Sequence, residues 1–194
     1  LKRITLAAGN TAFCVSNAVL YTTGCSSIVM TIPQDTLPNP LVIPDTVTSI
    51  RDGAFSTRYD LRSVTIPDSV TVIPDNAFQN CSSLTNLVLG ARTTTIRRYA
   101  FDNCGLLSVT IPASVTTLGV CAFRDIYLTR VMFLGNAPAS VGSDLYSSSS
   151  ATTNYVGIGS TGWSGTPGDA TLPATWQEKP VVAMPSLTMV NSVA

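Results

Sequence analysis

A short pattern recurs along this chain every 22 or 23 residues. The segment 43–47 (IPDTV) returns at 66–70 (IPDSV) and at 111–115 (IPASV). An Ala-Phe pair recurs four times at another position of the repeat, with its phenylalanine at Phe55, Phe78, Phe101 and Phe123. A fixed period of this length is typical of a solenoid, in which each repeat forms one coil and stacks on its neighbours. We therefore expect one elongated repeat domain.

Aligned repeats give columns that are apolar at nearly every level, so their side chains are predicted to face the core. Three of these columns are Leu61, Leu84, Leu106, Leu128; Val64, Leu87, Val109, Val131; and Ile66, Leu89, Ile111, Phe133. The alternation from Val64 to Ile66 predicts a short strand, which Pro67 ends because it has no N–H to donate. The β-branched segment 70–73 predicts a second strand. The segment 77–81 (AFQNC) suits a single helical or 3₁₀ turn. The predicted fold is a β-rich repeat solenoid.

Composition and charge exclude several classes of function. The 11 basic and 11 acidic residues balance to a formal net charge of zero, so the basic surface that nucleic-acid binding needs is missing. The chain contains no histidine, which removes the common catalytic triads and the histidine-based zinc sites. No apolar run is long enough to span a bilayer. We expect no enzyme, no cofactor, no bound metal, no nucleic-acid partner and no transmembrane segment.

The repeats resemble the BspA-like (Treponema-type) class of leucine-rich repeats, whose motif reads L-x-x-[VIL]-x-[IL]-P-x-S-V-T-x-I-x-x-x-A-F-x-[NG]-C. The match is close through about residues 41–136. Three departures stand out: Arg58 and Ile126 replace the cysteine, and 90–93 (GART) replaces the usual Pro-x-Ser-Val. The resemblance implies a right-handed leucine-rich repeat superhelix. It also implies a secreted or cell-surface protein that serves in adhesion or protein binding. The low charged fraction, 11% against about 25% in an average domain, favours the same location.

The domain prediction follows from where the repeat is regular. Residues 1–40 are expected to form a variant N-terminal unit with a hairpin, and residues 41–136 the regular repeats. Residues 137–180 are expected to form an irregular closing unit. Residues 181–194 are an apolar tail.

The outward side chains of the first strand are the predicted binding face, because solenoids commonly bind along such a surface. The candidate residues are Arg62, Thr65, Asn86, Val88, Leu107, Thr110, Arg130 and Met132. Val88, Leu107 and Met132 form an apolar strip with arginine on either side, which is typical of a protein contact but also compatible with ordinary surface scatter. The expected partner is a protein or a glycan at a cell surface.

Four of the five cysteines fall into two groups. Cys81 and Cys104 occupy an inward column and are expected to behave as small apolar residues. Cys14 and Cys25 flank the predicted hairpin and could form a disulfide in an oxidising compartment. Asn80 begins an N-glycosylation sequon that overlaps the Cys81 turn. The second strand carries outward threonines at Thr48, Thr71, Thr94 and Thr116. Such an array suggests ice binding or O-glycosylation, but the preference of threonine for exposed β-strands also explains it.

The C-terminal tail offers a second function. Its apolar positions are Val182, Met184, Leu187, Met189 and Val190. Such a segment either packs on its own solenoid or adds as a strand to a neighbouring molecule. A head-to-tail contact of that kind does not close, so it would build a homopolymer. The alternative prediction is therefore a structural subunit of an extracellular filament.

Overall fold

The computed structural model describes residues 6, 8, 10–31, 37–147, 152–157, 160–163, 175–177 and 179–184. Within them every regular element is a β-strand. The strands are β1 (Phe13–Ser16), β2 (Val19–Thr22), β3 (Ser27–Thr31), β4 (Leu41–Val42), β5 (Ser49–Ile50), β6 (Ser63–Thr65), β7 (Val72–Ile73), β8 (Asn86–Val88), β9 (Thr95–Ile96), β10 (Ser108–Ile111), β11 (Thr117–Leu118), β12 (Arg130–Phe133), β13 (Ser140–Val141), β14 (Thr153–Val156), β15 (Thr175–Trp176) and β16 (Lys179–Ala183). Over these same residues, no helix has the length and apolar character to cross a membrane.

The two predicted strands of each repeat form two parallel sheets on different sides of the solenoid. On the first side β4, β6 and β8 pair in order, and β10, β12, β14 and β16 form a second run. On the second side β7, β9, β11 and β13 pair without a break. Equivalent repeat positions face each other, as Val64 faces Leu87 between β6 and β8. This register keeps each apolar column on one face, because a shift of one residue would turn it outward.

The third side of each coil carries the Ala-Phe segment, which forms turns closed by hydrogen bonds of the 3₁₀ type. Ser56 N–H donates to Gly53 O, and Arg58 N–H donates to Phe55 O. Gly53 (φ 66°) and Thr57 (φ 62°) have left-handed backbone conformations, which stop the turn from continuing as a helix. The same pattern recurs one coil later.

The core is one continuous cluster that runs along the stack. Its centre is a column of four buried phenylalanine rings that lie parallel. Ring centroids are 4.8 Å apart between Phe55 and Phe78, 5.3 Å between Phe78 and Phe101, and 5.5 Å between Phe101 and Phe123. These distances are close to the spacing of adjacent strands, so one ring per coil fills the interior.

Antiparallel strands lie at both ends of the described solenoid. At the N-terminal end β1 and β2 form a hairpin, and β2 also pairs antiparallel with β3, which runs parallel to β5. At the C-terminal end β15 pairs antiparallel with β16. The sheet therefore continues into the predicted closing unit, since β14 and β16 extend it by two parallel strands.

Candidate binding face

The predicted binding residues lie on the first sheet or directly beside it. Val88 on β8 is 47% exposed, and Leu107, just before β10, is 58% exposed. Arg62, Asn86, Thr110 and Arg130 are exposed, whereas Thr65 and Met132 are half-buried. The apolar strip is thus narrower than the sequence suggests, because Met132 is partly covered within β12.

Two polar side chains of this face are held by neighbouring coils. Asn86 Nδ2 donates to Ser63 Oγ at 2.9 Å. The Arg130 guanidinium lies 5.1 Å from the ring centroid of Tyr155, a cation–π contact. These contacts order the side chains at both ends of the apolar strip.

The first sheet is interrupted in the middle of this face. β8 and β10 do not pair, although both strands are fully described. In the same coils β9 pairs with β11 and the phenylalanine column continues. The coils therefore stay stacked on two sides and separate on the third.

A change in repeat length explains where the interruption falls. Nine residues separate Phe78 from Leu87 in the coil of β8, but only eight separate Phe101 from Val109 in the coil of β10. The missing residue lies between Cys104 and the next inward leucine. Gly105 occupies the shortened turn, where a Cβ would lie 2.4 Å from the backbone oxygen of Ser82. The coil is thus shortened just before its strand, at the level where β8 and β10 do not pair.

Besides this shortening, a substitution just before β10 removes a hydroxyl that contacts the preceding coil in two other repeats. Thr85 and Thr129 occupy equivalent positions, and each donates its N–H and its hydroxyl to a carbonyl of the preceding coil. The equivalent residue in the coil of β10 is Leu107, which has no hydroxyl. The hydroxyl with which Thr85 and Thr129 contact the preceding coil is therefore missing where the sheet opens.

The interruption forms a cleft of about 530 Å³, a size typical of ligand-binding pockets. Asn86, Val88 and Thr110 of the predicted face line it. The lining residues that sequence reasoning missed are Thr85, Leu87, Leu89, Ala91, Ser108, Val109, Pro112, Ala113 and Leu134. None of the lining residues is charged. The signal that could have revealed the cleft is the one-residue shortening after Cys104.

The outward threonines of the second strand make structural hydrogen bonds. The hydroxyl of Thr94 donates to Thr71 O at 3.1 Å, and that of Thr48 donates to Ser26 O at 3.2 Å. Each hydroxyl thus joins its coil to the preceding one, as Thr85 and Thr129 do on the first sheet.

The inward cysteines also connect coils. Cys81 Sγ donates to Phe55 O and Cys104 Sγ donates to Phe78 O, both at 3.1 Å. The neighbouring Cys81 thiol and burial raise the pKa of Cys104, so it stays a neutral thiol. At the equivalent position Arg58 is buried and pairs with Asp60 at 2.8 Å.

The structure brings Cys14 and Cys25 together. Their Sγ atoms are 3.0 Å apart beside the β1–β2 hairpin, and the hydrogen bond to Cys25 raises the pKa of the Cys14 thiol. Asn80 is half-buried and accepts a hydrogen bond from Asn103 Nδ2 at 2.9 Å. Within the described ranges, no group of three or more acidic, cysteine or histidine residues is placed to hold a metal ion.

The described part of the C-terminal tail packs on its own solenoid. Val181 and Val182 of β16 lie beside Asn154 and Tyr155 of β14, and Met184 N–H donates to Val156 O at 2.7 Å. The other predicted assembly positions, Leu187, Met189 and Val190, fall outside the described residues.

Comparisons with known proteins agree with this architecture. The family model described as the BspA type leucine rich repeat region matches residues 34–154 in six copies. Among solved structures, the pneumococcal vaccine antigen PcpA is 18% identical, with a TM-score of 0.68 over 80% of this chain. Leucine-rich repeat proteins from Bacteroides ovatus (17% identical over 79% of this chain, TM-score 0.40) and Faecalibacterium prausnitzii (18% over 75%, TM-score 0.36) are also similar. The matches span 39% of the PcpA chain, 55% of the Bacteroides chain and 67% of the Faecalibacterium chain. A search of curated protein sequences gives no significant match.

Proposed function

The chain belongs to the BspA-type leucine-rich repeat family, and on this basis we propose that it is a non-enzymatic binding module of a secreted or cell-surface protein. The binding surface is the first sheet from β6 to β12. The observation that carries this proposal is an exposed apolar patch at the edge of the cleft. Val88 and Leu134 line the cleft and are 47% and 54% exposed, and Leu107, which precedes the lining residue Ser108, is 58% exposed. Apolar side chains grouped around a concave site are typical of surfaces that contact another molecule.

The charges around this patch favour a protein partner. Arg62 lies toward one end of the face and Arg130 toward the other, while the cleft between them has no charged lining residue. Protein interfaces commonly combine an apolar centre with a polar or charged rim, and arginine is enriched in them. A glycan is the alternative ligand, since Asn86, Ser108 and Thr110 supply neutral hydrogen-bonding groups.

Two observations support an extracellular location. The low charged fraction of the chain is the first. The second is the approach of Cys14 and Cys25, which are close enough to be joined in an oxidising compartment.

The experiment is a binding screen in which the face itself is varied. The purified protein is tested against a display library of peptides and folded domains and against a glycan array. Leu107→Asp serves as the face variant. Val120→Asp is the control, because Val120 is 39% exposed in the turn after β11, away from the first sheet.

We expect ligands whose affinity falls more than about tenfold with Leu107→Asp and is unchanged with Val120→Asp, because a charge in the apolar centre of an interface is costly. Circular dichroism checks that both variants fold. Ligands that bind both variants like the wild type would refute the assignment of this face, and the absence of any ligand would refute the binding function.

The filament alternative rests on the chain beyond Met184, because residues 181–183 already pair with β14. Deleting residues 185–194 separates the two functions. Only a filament subunit needs that segment for assembly, whereas binding by the first sheet does not.

A further inference from the structure

The cleft between β8 and β10 exposes backbone groups of two facing strand edges. On β8, Asn86 N–H donates to Arg62 O and Val88 O accepts from Ile66 N–H, so residues 86 and 88 direct their backbone groups toward β6. Successive residues of a strand direct their N–H and C=O groups to opposite sides. The N–H and C=O of Leu87 therefore point toward β10.

The opposing edge follows from the same reasoning. Leu107 O accepts from Thr129 N–H, and Ile111 O accepts from Leu134 N–H, so the odd-numbered residues of β10 direct their backbone groups toward β12. The N–H and C=O groups of Ser108 and Thr110 then point toward β8. Across these fully described strands, β8 and β10 do not pair. The cleft thus offers backbone donors and acceptors on both walls.

The side chains at the cleft define what could enter it. Val88 and Leu134 contribute exposed apolar surface, and Leu89 is a half-buried apolar residue of the lining. Ser108 and Thr110 are exposed and neutral. A charged segment would find no counter-ion among the lining residues, so the chemistry fits an uncharged segment with apolar side chains.

From these observations we infer that the cleft binds an extended, uncharged peptide segment of a partner protein. The segment adds as a strand between β8 and β10 and completes the interrupted sheet. Its backbone pairs with Leu87 on one side and with Ser108 and Thr110 on the other, which is β-strand addition with two edges instead of one. Alternate side chains of the segment are small and apolar, because they enter between Leu89 and Pro112. This inference rests on the proposed binding function and names its ligand class.

The first test is amide hydrogen exchange in the protein without a ligand. We expect the amides of Leu87 and Thr110 to exchange fast, because both point into the cleft without a partner. The amide of Asn86, which is bonded to Arg62 O, is the internal control and should exchange slowly. Slow exchange of Leu87 and Thr110 in the free protein would mean that the cleft is closed and would overturn the inference.

The second test uses peptides enriched from a random 12-residue phage library on the purified protein. Enriched peptides are synthesised in two further forms, with alternate backbone nitrogens methylated in one set or in the other. One set of nitrogens faces β8 and the other faces β10, because successive residues of a strand point to opposite sides. Methylating either set should weaken binding by about two- to tenfold for each hydrogen bond lost. A set whose methylation leaves binding unchanged would mean that one wall does not pair with the peptide, and would overturn the inference.

The variant Val88→Asp locates the peptide. It should abolish binding of the enriched peptides, and the matched control Val42→Asp, at a 62% exposed site on β4, should leave it unchanged. Peptides that protect the amides of Leu87 and Thr110 support the inference. Protection of the same amides that rises with protein concentration and needs no peptide would assign the cleft to a second copy of this chain and overturn it.

The outcome also separates this inference from the proposed function. Ligands that are lost with Leu107→Asp but leave the amides of Leu87 and Thr110 unprotected would keep the binding face and refute the strand-addition site. The absence of any ligand that depends on the face would refute both.

Discussion

Replacing Phe78 with alanine should destabilise the protein more than the same change at Phe55. The Phe78 ring is fully buried and lies between two parallel rings, with centroids at 4.8 Å to Phe55 and 5.3 Å to Phe101. Phe55 is equally buried, but among the described residues its one stacked ring partner is Phe78. Removing a core phenylalanine costs about 3–5 kcal/mol. Each aromatic pair contributes about 0.5–1.5 kcal/mol beyond buried area. The free energy of unfolding should therefore fall by about 0.5–1.5 kcal/mol more in Phe78→Ala than in Phe55→Ala.

The assay is urea unfolding followed by far-UV circular dichroism and by tryptophan fluorescence, with the free energy of unfolding compared among variants. A double-mutant cycle isolates the ring contact. Phe55→Ala with Phe78→Ala should show a coupling energy of about 1 kcal/mol. Phe55→Ala with Phe123→Ala should be additive, because two rings separate these residues. Equal destabilisation by the two single variants, together with additivity in the first cycle, would refute the idea that coils are coupled through the ring column.

Three further predictions concern the ends of the chain and its buried ion pair. Under oxidising conditions, thiol titration of the unfolded protein should find three of the five thiols, because Cys14 and Cys25 have joined, whereas Cys14→Ser should give four. The hydrogen bond from Arg58 holds the pKa of Asp60 at about 2, below its ordinary 3.8. The carboxylate therefore stabilises the fold above about pH 4, and this contribution is lost as the pH falls towards 2. Acid titration of Asp60→Asn should show a smaller loss of stability over that range, and an unchanged profile would exclude the ion pair as its cause. Deleting residues 185–194 should leave the mass seen by light scattering unchanged, and a filament that disappears with the deletion would contradict the binding module.

Much of the fold could be predicted because each coil repeats the same contacts. The Leu61, Val64 and Ile66 columns were assigned to the core from their spacing, and all three residues are buried. The turn at Ala77-Phe78 was expected from sequence, but its left-handed residues Asn76 and Asn80 were not. Asparagine adopts that conformation readily, but its presence does not predict the conformation, because asparagine is also common in other turns.

The sequence pattern predicts which residues point outward on the candidate binding face, but not the cleft that some of them line. Asn86, Val88 and Thr110 lie where the repeat pattern puts them, on outward positions of parallel strands. That they line a cleft does not follow from their own residue types. It depends on a residue missing between Cys104 and Leu106, about 17 positions after Val88 and about four positions before Val109.

The coil length, the inward columns and the family can be read from the repeat pattern alone, because stacked equivalent positions must share one chemical character to fill a common core. How the shortened coil is accommodated depends instead on contacts between coils. The deletion could have been absorbed within the turn, leaving the sheet intact. Instead the phenylalanine column and the second sheet hold the coils together, and the first sheet opens. Ring packing in the phenylalanine column and hydrogen bonds of the second sheet both hold these coils together. The difference in coil length therefore appears on the remaining side, between Leu87 and Thr110.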